Sequence, residues 1–220
     1  MNLFSQVKFL IRKEIVLEWR SKYALNGILL YVVSTIFVCY LSFRAIDNAP
    51  TWNALFWIIM LFASVNAIAK SFMQESRGRQ LYYYTIASPQ AIIISKIIYN
   101  TMLMILLSVI ALGFYTLVFK SQLGDPLYYL LSVLLGSISF ASVFTMISGI
   151  ASKASSSGSL MAILSFPVIM PLLMLLIKFS KNAMDGLDRR VSLDEIGVLL
   201  AINLVVIIIS LLLFPYLWRD

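Results

Sequence analysis

The stretch IIYNTMLMILLSVIALGFYTLVF, residues 97–119, contains no charged side chain. A run of about 20 apolar residues is long enough for a helix to cross the hydrocarbon core of a bilayer. One Lys, Arg or Asp at the centre of such a helix costs about 2.5–3.5 kcal/mol, whereas a Leu or Ile returns only about 0.5 kcal/mol. Because lipid offers the backbone no hydrogen bonds, the stretch is predicted to form a transmembrane helix.

Five other apolar runs have the same properties. The predicted spans are 23–43, 52–69, 97–119, 127–151, 160–177 and 196–218. The sequence therefore predicts an all-α integral membrane protein with six transmembrane helices, in which residues 1–220 form a single membrane domain.

The composition supports this fold class. Hydrophobic residues make up 61% of the chain and charged residues 12%, against about 45–50% and about 25% in soluble domains. The formal charge of +7 is attributed to basic loops that face anionic lipid, so no nucleic-acid partner is inferred. The sequence contains no histidine, and its single cysteine, Cys39, lies in an apolar run. Histidine-based catalysis and a disulfide framework are therefore excluded.

The distribution of basic residues predicts the orientation. When the N-terminus is placed inside, eleven of the seventeen Lys and Arg residues fall in inner loops and six in outer loops. Inner loops carry the excess of basic residues, so both termini are predicted to be cytoplasmic. We expect a multi-pass protein of a bacterial-type inner membrane.

Three positions carry helix-start signals. Ser88-Pro89 and Asp125-Pro126 each place a capping side chain before a proline at the first helical position, where a missing N–H costs nothing. Ser192 and Glu195 have the spacing of a capping box directly before the last span.

The N-terminal residues 2–22 are predicted to form an amphipathic helix on the inner membrane surface. Its apolar stripe also contains Glu14 and Glu18, four residues apart, where two like charges repel each other. The two carboxylates therefore need partners. One possibility is pairing with a neighbour such as Lys22; the other is a salt bridge to a partner subunit or to the loop after the second span.

Residues 70–96, which we call the coupling segment, join the second and third spans. At this length the connection exceeds a minimal hairpin, and Gly78 interrupts any helix ahead of the aromatic cluster 82–84. The segment is predicted to lie across the base of the membrane domain and to dock a cytoplasmic motor protein. The alternative is an interfacial aromatic anchor with no partner.

Two patterns within the spans concern helix packing. A stripe of small residues recurs every four positions in the fourth span, which fits either packing within the bundle or a dimer seam; it consists of Ser137, Ala141, Thr145 and Gly149. Pro167 and Pro171 in the fifth span leave backbone carbonyls unpaired, which fits either a helix that lines a cavity or a simple kink.

Several catalytic motifs are missing from the sequence. Without G-x-x-x-x-G-K-[ST] the chain cannot hold the phosphates of ATP, and neither H-E-x-x-H nor G-x-S-x-G is present. The predicted spans contain no Asp or Glu that could relay protons. We therefore expect no enzyme activity, no directly bound cofactor and no metal.

Three stretches resemble the cytochrome c maturation protein B family, also called haem exporter protein B. They are KEIVLEWR at 13–20, FMQE at 72–75 followed by Gly78 and Ser88-Pro89, and FPVIMP at 166–171. The resemblance covers the whole chain in length, span count and loop placement. One local difference is that Arg79 and Gln80 follow Gly78, where the family usually has an acidic residue.

The resemblance implies an ABC-2-like permease that works with a separate ATP-binding cassette ATPase and a haem-handling membrane protein. In such a complex ATP is hydrolysed by the partner, haem is handled by the complex, and hydrolysis serves haem delivery or the release of a haem-loaded chaperone. The alternatives are an ABC-2 permease for a lipid, glycan or drug, a non-transporting membrane scaffold and, as the weakest, a membrane enzyme.

Our leading hypothesis is a homodimeric permease in contact with membrane lipid. The residues expected to couple it to the ATPase are Gln74, Glu75, Gly78, Ser88, Pro89, Glu14 and Glu18.

Overall fold

A computed structural model of the chain describes residues 2–21, 23–43, 46, 48–68, 70–73, 87–120, 122–152 and 157–219. The helices, in chain order, are α1 (Leu3–Ser21), α2 (Tyr23–Phe43), α3 (Ala49–Ile68), α4 (Lys70–Met73), α5 (Pro89–Phe119), α6 (Pro126–Ala151), α7 (Ser157–Met184) and α8 (Leu193–Arg219). A short 3-10 helix, Arg189–Ser192, lies between α7 and α8. Six of them, α2, α3 and α5 to α8, are long and apolar enough to cross a membrane. The prediction of an all-α membrane protein is confirmed.

Helix α6 lies at the centre of the bundle. Of the residues in its span, 72% are buried, against 11% for α2, and α6 packs against α3, α5, α7 and α8. Its many serines fit this position, because a small hydroxyl side chain can donate to a carbonyl one turn earlier in its own helix. Ser137 and Ser139 donate in this way to Val133 O and Leu135 O, at 2.8 and 2.9 Å.

Helix α5 begins eight residues before the predicted third span. Ser88 caps it by accepting a hydrogen bond from Ala91 N, and Pro89 occupies the first helical position, as the cap signal predicted. The predicted span 97–119 covers the part of α5 that follows Lys96, and the helix extends back through Lys96 to Pro89. The 31 residues of α5 extend about 46 Å, more than the hydrocarbon thickness of about 30 Å.

The two ends of the bundle are built differently. We call the end where α1, α4, the first turns of α5 and Phe214 of α8 meet the base. The opposite end, the cap, consists of residues 122–125, the end of α7 and the 3-10 helix. At the cap two backbone bonds join the loop to α7, from Gly124 N to Met184 O at 3.1 Å and from Asp125 N to Ala183 O at 2.9 Å.

Two helices, α6 and α8, begin at this end of the bundle, and the prediction for the start of each has a different outcome. Asp125 caps α6 by accepting from Tyr128 N at 3.1 Å, as predicted. The predicted capping box before α8 was wrong, because both of its side chains turn towards α7. Ser192 Oγ accepts from Asn182 Nδ2 at 3.0 Å, and Glu195 pairs with Lys178 Nζ at 2.7 Å.

Candidate functional site at the base of the bundle

Helix α1 lies along the first turns of α5 and runs in the same direction. The same sequence separation, 82 residues, relates Gln6 to Ser88 and Glu14 to Lys96, and contacts at a constant offset are the signature of two parallel helices. An apolar cluster fills the space between them. Its buried members are Val7, Leu10, Phe72, Ala91, Ile92, Ile93, Ile97 and Phe214.

The first contact between α1 and α5 involves Ser88, the residue that caps the N-terminus of α5. Both the backbone N and the hydroxyl of Ser88 donate to Gln6 Oε1, at 3.0 and 3.1 Å. The hydroxyl oxygen of Ser88 also accepts from Ala91 N at 3.3 Å. Gln6 therefore fixes the orientation of the side chain that caps α5.

The second contact is a buried ion pair. Lys96 Nζ lies 3.1 Å from Glu14 Oε1, and the two side chains are 5% and 14% exposed. Lys13 Nζ approaches the same carboxylate oxygen at 2.9 Å. Burial alone would raise the pKa of Glu14, but the charges of Lys96 and Lys13 outweigh it and hold the pKa below its ordinary value.

Glu18 lies one turn further along α1, in electrostatic contact with Tyr99 of α5. Both carboxylates of the apolar stripe thus face α5. Glu14 forms a salt bridge with Lys96, the last residue of the predicted coupling segment. Lys22, the other partner considered for this stripe, lies outside the described residues.

Lys96 also binds the short helix α4. Its Nζ donates to the backbone carbonyl of Ser71 at 2.6 Å and lies 5.3 Å from the centroid of the Phe72 ring. One turn later Asn100, 1% exposed, donates to Ser71 Oγ at 3.1 Å and to Thr145 Oγ1 at 2.7 Å. A continuous set of polar contacts therefore connects α1, α4, α5 and α6.

The small-residue stripe of α6 faces the inside of the chain. Ser137 Oγ lies within hydrogen-bond distance of Ser108 Oγ of α5, at 2.8 Å, Thr145 accepts from Asn100, and Ala141 is fully buried. A Cβ at Gly149 would come within 3.2 Å of the Phe214 ring and 3.6 Å of Phe72. Gly149 thereby makes room for the two rings, whose centroids are 5.3 Å apart.

Pro167 and Pro171 lie within α7, which continues through both of them. Both prolines are exposed on the outside of the bundle.

Three of the predicted coupling residues, Gln74, Glu75 and Gly78, lie outside the described residues. The other four, Glu14, Glu18, Ser88 and Pro89, come together at the base. Sequence reasoning missed Gln6, Ser71, Lys96 and Asn100, which hold that group in place. The Ser88 cap was a usable signal for Lys96, since it places this residue in the second turn of a helix.

The base offers contacts between helices. Its Glu14 carboxylate is neutralised by Lys96 and Lys13, and the described part of the chain contains no group of three or more Cys, Asp or Glu side chains that could hold a metal ion. What the arrangement can do is fix the positions of α1, α4 and α5 relative to one another.

A family model described as CcmB protein matches residues 5–216, almost the whole chain. No curated protein matches the chain.

Proposed function

The chain belongs to the CcmB family, and from this premise we propose that it is the permease subunit on which a separate cytoplasmic ATPase acts, with the base facing the cytoplasm. Membership makes it a membrane permease component of the haem export system for cytochrome c maturation.

One observation carries the proposal: the residues on both sides of positions 74–86 are held by the same helix. On one side Glu14 of α1 binds Lys96, which binds Ser71. On the other side Gln6 of α1 binds Ser88. A protein that docks between these two points therefore acts on α1, α4 and α5 together, which is what an ATPase needs in order to move a set of helices.

The division of labour follows from the sequence. The chain lacks a phosphate-binding G-x-x-x-x-G-K-[ST] loop, so ATP hydrolysis belongs to the partner. Gln74, Glu75 and Gly78 are proposed to contact that partner. Glu14, Glu18, Ser88 and Pro89 are proposed to hold the segment against the bundle from within.

Haem delivery, or release of a haem-loaded chaperone, is assigned to the complex with a haem-handling membrane protein. This chain contains no histidine, the commonest axial ligand of haem iron, so direct ligation of haem by this subunit is not part of the proposal. We further propose a homodimer, in which a second copy covers part of the sparsely buried helix α2.

The docking proposal is tested by co-purifying the ATPase with the tagged chain from membranes. Glu75→Lys is expected to abolish co-purification, because it reverses a charge at the proposed contact. The matched control is Asp185→Lys, which reverses an exposed acidic residue at the cap and is expected to leave co-purification unchanged. Retention of the ATPase by Glu75→Lys, with unchanged hydrolysis, would refute the docking assignment.

Two further measurements separate the competing functions. Normal haem attachment to cytochrome c in a strain that lacks this chain would point to a permease for another cargo. Unchanged haem attachment with a hydrolysis-deficient ATPase would point to a scaffold that does not use ATP.

A further inference from the structure

We propose that Lys96 is the positioning residue of a latch, formed with Glu14, Ser71 and Asn100, that transmits displacement of α4 into α5 and α6. This inference rests on the proposed function and adds the route by which movement at the base reaches the transmembrane helices. All four residues lie in the described part of the chain.

The latch holds α4 at two atoms of one residue. Lys96 binds the carbonyl oxygen of Ser71 and Asn100 binds its hydroxyl, at 2.6 and 3.1 Å. Residues four apart on a helix lie one above the other on the same face, so Lys96 and Asn100 present two donors to α4 side by side. Two points of attachment fix the orientation of α4 as well as its distance, and α4 cannot shift without moving α5.

Asn100 extends the connection to the centre of the bundle. A side-chain amide carries two N–H donors, and Asn100 uses them on Ser71 Oγ of α4 and on Thr145 Oγ1 of α6. Helix α6 is the most deeply buried span and packs against four other transmembrane helices. A displacement that reaches Thr145 therefore reaches α6, the helix against which most of the bundle packs.

The charge of Lys96 is what makes the latch specific. A neutral chain of the same length could fill the space beside Phe72, but it could not bind a carboxylate and a carbonyl at the same time. The bond to Glu14, only 14% exposed at its side chain, compensates for the burial of the ammonium group and keeps it between α1 and α4.

The test uses a variant that removes the latch without leaving a buried charge. In Glu14→Gln/Lys96→Met both charges are lost together, and replacing a buried pair by neutral groups of similar size is commonly tolerated by the fold. The matched control is Lys178→Met/Glu195→Gln, which removes both charges of the ion pair at the cap. Each variant is purified with its ATPase and assayed for bound ATPase, ATP hydrolysis and haem attachment to cytochrome c in cells.

If the latch transmits movement, the double variant keeps bound ATPase and hydrolysis within about twofold, while haem attachment falls at least about tenfold, equivalent to about 1.4 kcal/mol of lost coupling. Lys96→Arg, which retains the charge and the donors, is expected to recover most of the haem attachment. Lys178→Met/Glu195→Gln is expected to match the unsubstituted chain in all three assays.

A double-mutant cycle checks the second attachment point. Ser71→Ala and Asn100→Leu each break the same hydrogen bond, so their combination is expected to reduce haem attachment no further than Asn100→Leu alone. Additive losses would show that the two side chains act separately and would overturn the latch.

Two other outcomes also overturn it. In the first, the charge-free double variant supports normal haem attachment. In the second, bound ATPase, hydrolysis and attachment all fall in the same proportion, which shows that Lys96 serves folding alone. Both outcomes leave the proposed function intact as long as the unsubstituted chain binds the ATPase, whereas absence of ATPase from that control refutes the proposed function and the latch together.

Discussion

The Arg189–Asp125 pair of the cap and the Glu14–Lys96 pair of the base each join elements that are distant in the sequence, but the two pairs are embedded differently. At the cap Arg189 forms a two-pronged contact with Asp125 at 3.0 and 2.8 Å, and its side chain is 63% exposed. At the base the side chain of Lys96 is 5% exposed, and its partners come from two other helices. The Arg189–Asp125 pair is therefore largely exposed to solvent, whereas the Glu14–Lys96 pair is enclosed by protein.

The surroundings of the cap explain why it can rely on an exposed pair. Its loop is already joined to α7 by the two backbone hydrogen bonds of Gly124 and Asp125. The Tyr128 hydroxyl adds a bond to Arg189 O at 2.8 Å. At the base the contacts between α1, α4 and α5 are made by side chains. The cap is thus held chiefly by backbone geometry and the base by charge, and this contrast can be tested.

The largest effect is expected for Lys96→Met alone. The substitution leaves the buried Glu14 with Lys13 as its remaining cation and removes the bond to Ser71 O, and breaking a buried pair destabilises proteins by up to about 3–5 kcal/mol. The measurement is the thermal unfolding midpoint of the detergent-solubilised chain. Adding Glu14→Gln should recover most of the loss; an unchanged midpoint for Lys96→Met would show that the base does not depend on charge.

The next largest effect is expected at the cap, from Gly124→Ala. The new Cβ would lie 2.5 Å from Met184 O and 2.8 Å from Gly186 N. The loop must move away from α7, at a cost of about 1–3 kcal/mol. The control is Gly113→Ala in α5, where a Cβ meets no atom within 4 Å and should stabilise the helix by up to about 1 kcal/mol. Equal midpoints for the two variants would contradict the view that backbone geometry holds the cap.

A third test compares the two ends by pH. Glu14 has a lowered pKa in the folded chain, so its stabilising contribution is complete above its ordinary pKa of 4.5 and is lost as the pH falls through the folded value. We expect Glu14→Gln to flatten the acid side of a stability–pH curve. Asp125 also has a lowered pKa, chiefly because Arg189 donates to it, but the pair is exposed, so Asp125→Asn should flatten the curve less. A larger flattening by Asp125→Asn than by Glu14→Gln would contradict the view that the base depends on charge more than the cap does.

The smallest effect is expected for Arg189→Ala. Solvent and salt screen an exposed pair, so the midpoint should shift less than for any variant above. The remaining shift should disappear at about 1 M salt, where the screening length is about 3 Å. Lys96→Met should keep its shift at the same salt concentration, which makes the pair of titrations a direct comparison of cap and base.

The six spans could be predicted because lipid imposes one solution on a long uncharged run. Cap chemistry also identified the starts of α5 and α6, since Ser88 and Asp125 act within four residues of their own position. The apolar run alone begins only after Lys96, because hydropathy treats this residue as a charge in water, and its neutralisation by Glu14 depends on how two helices pack.

The contacts of the base could not be predicted from the sequence, because they too depend on how the helices pack. Glu14 was recognised as a residue in need of a partner, but the partner lies 82 residues away and is selected by the parallel alignment of α1 with α5. Asn100 lies inside a predicted apolar span and gave no sign of bridging α4 and α6. Residues that act locally can be identified from sequence, whereas those that act between helices require the fold.

The parallel alignment of α1 and α5 also sets an order for biosynthesis. Residues 2–21 leave the ribosome before α5, and Gln6 and Glu14 cannot meet Ser88 and Lys96 until 82 more residues have been made. At about 5–20 residues per second this delay is about 4–16 s. During that time Glu14 and Glu18 are without their contacts on α5, so the base closes only after α2 and α3 have been synthesised.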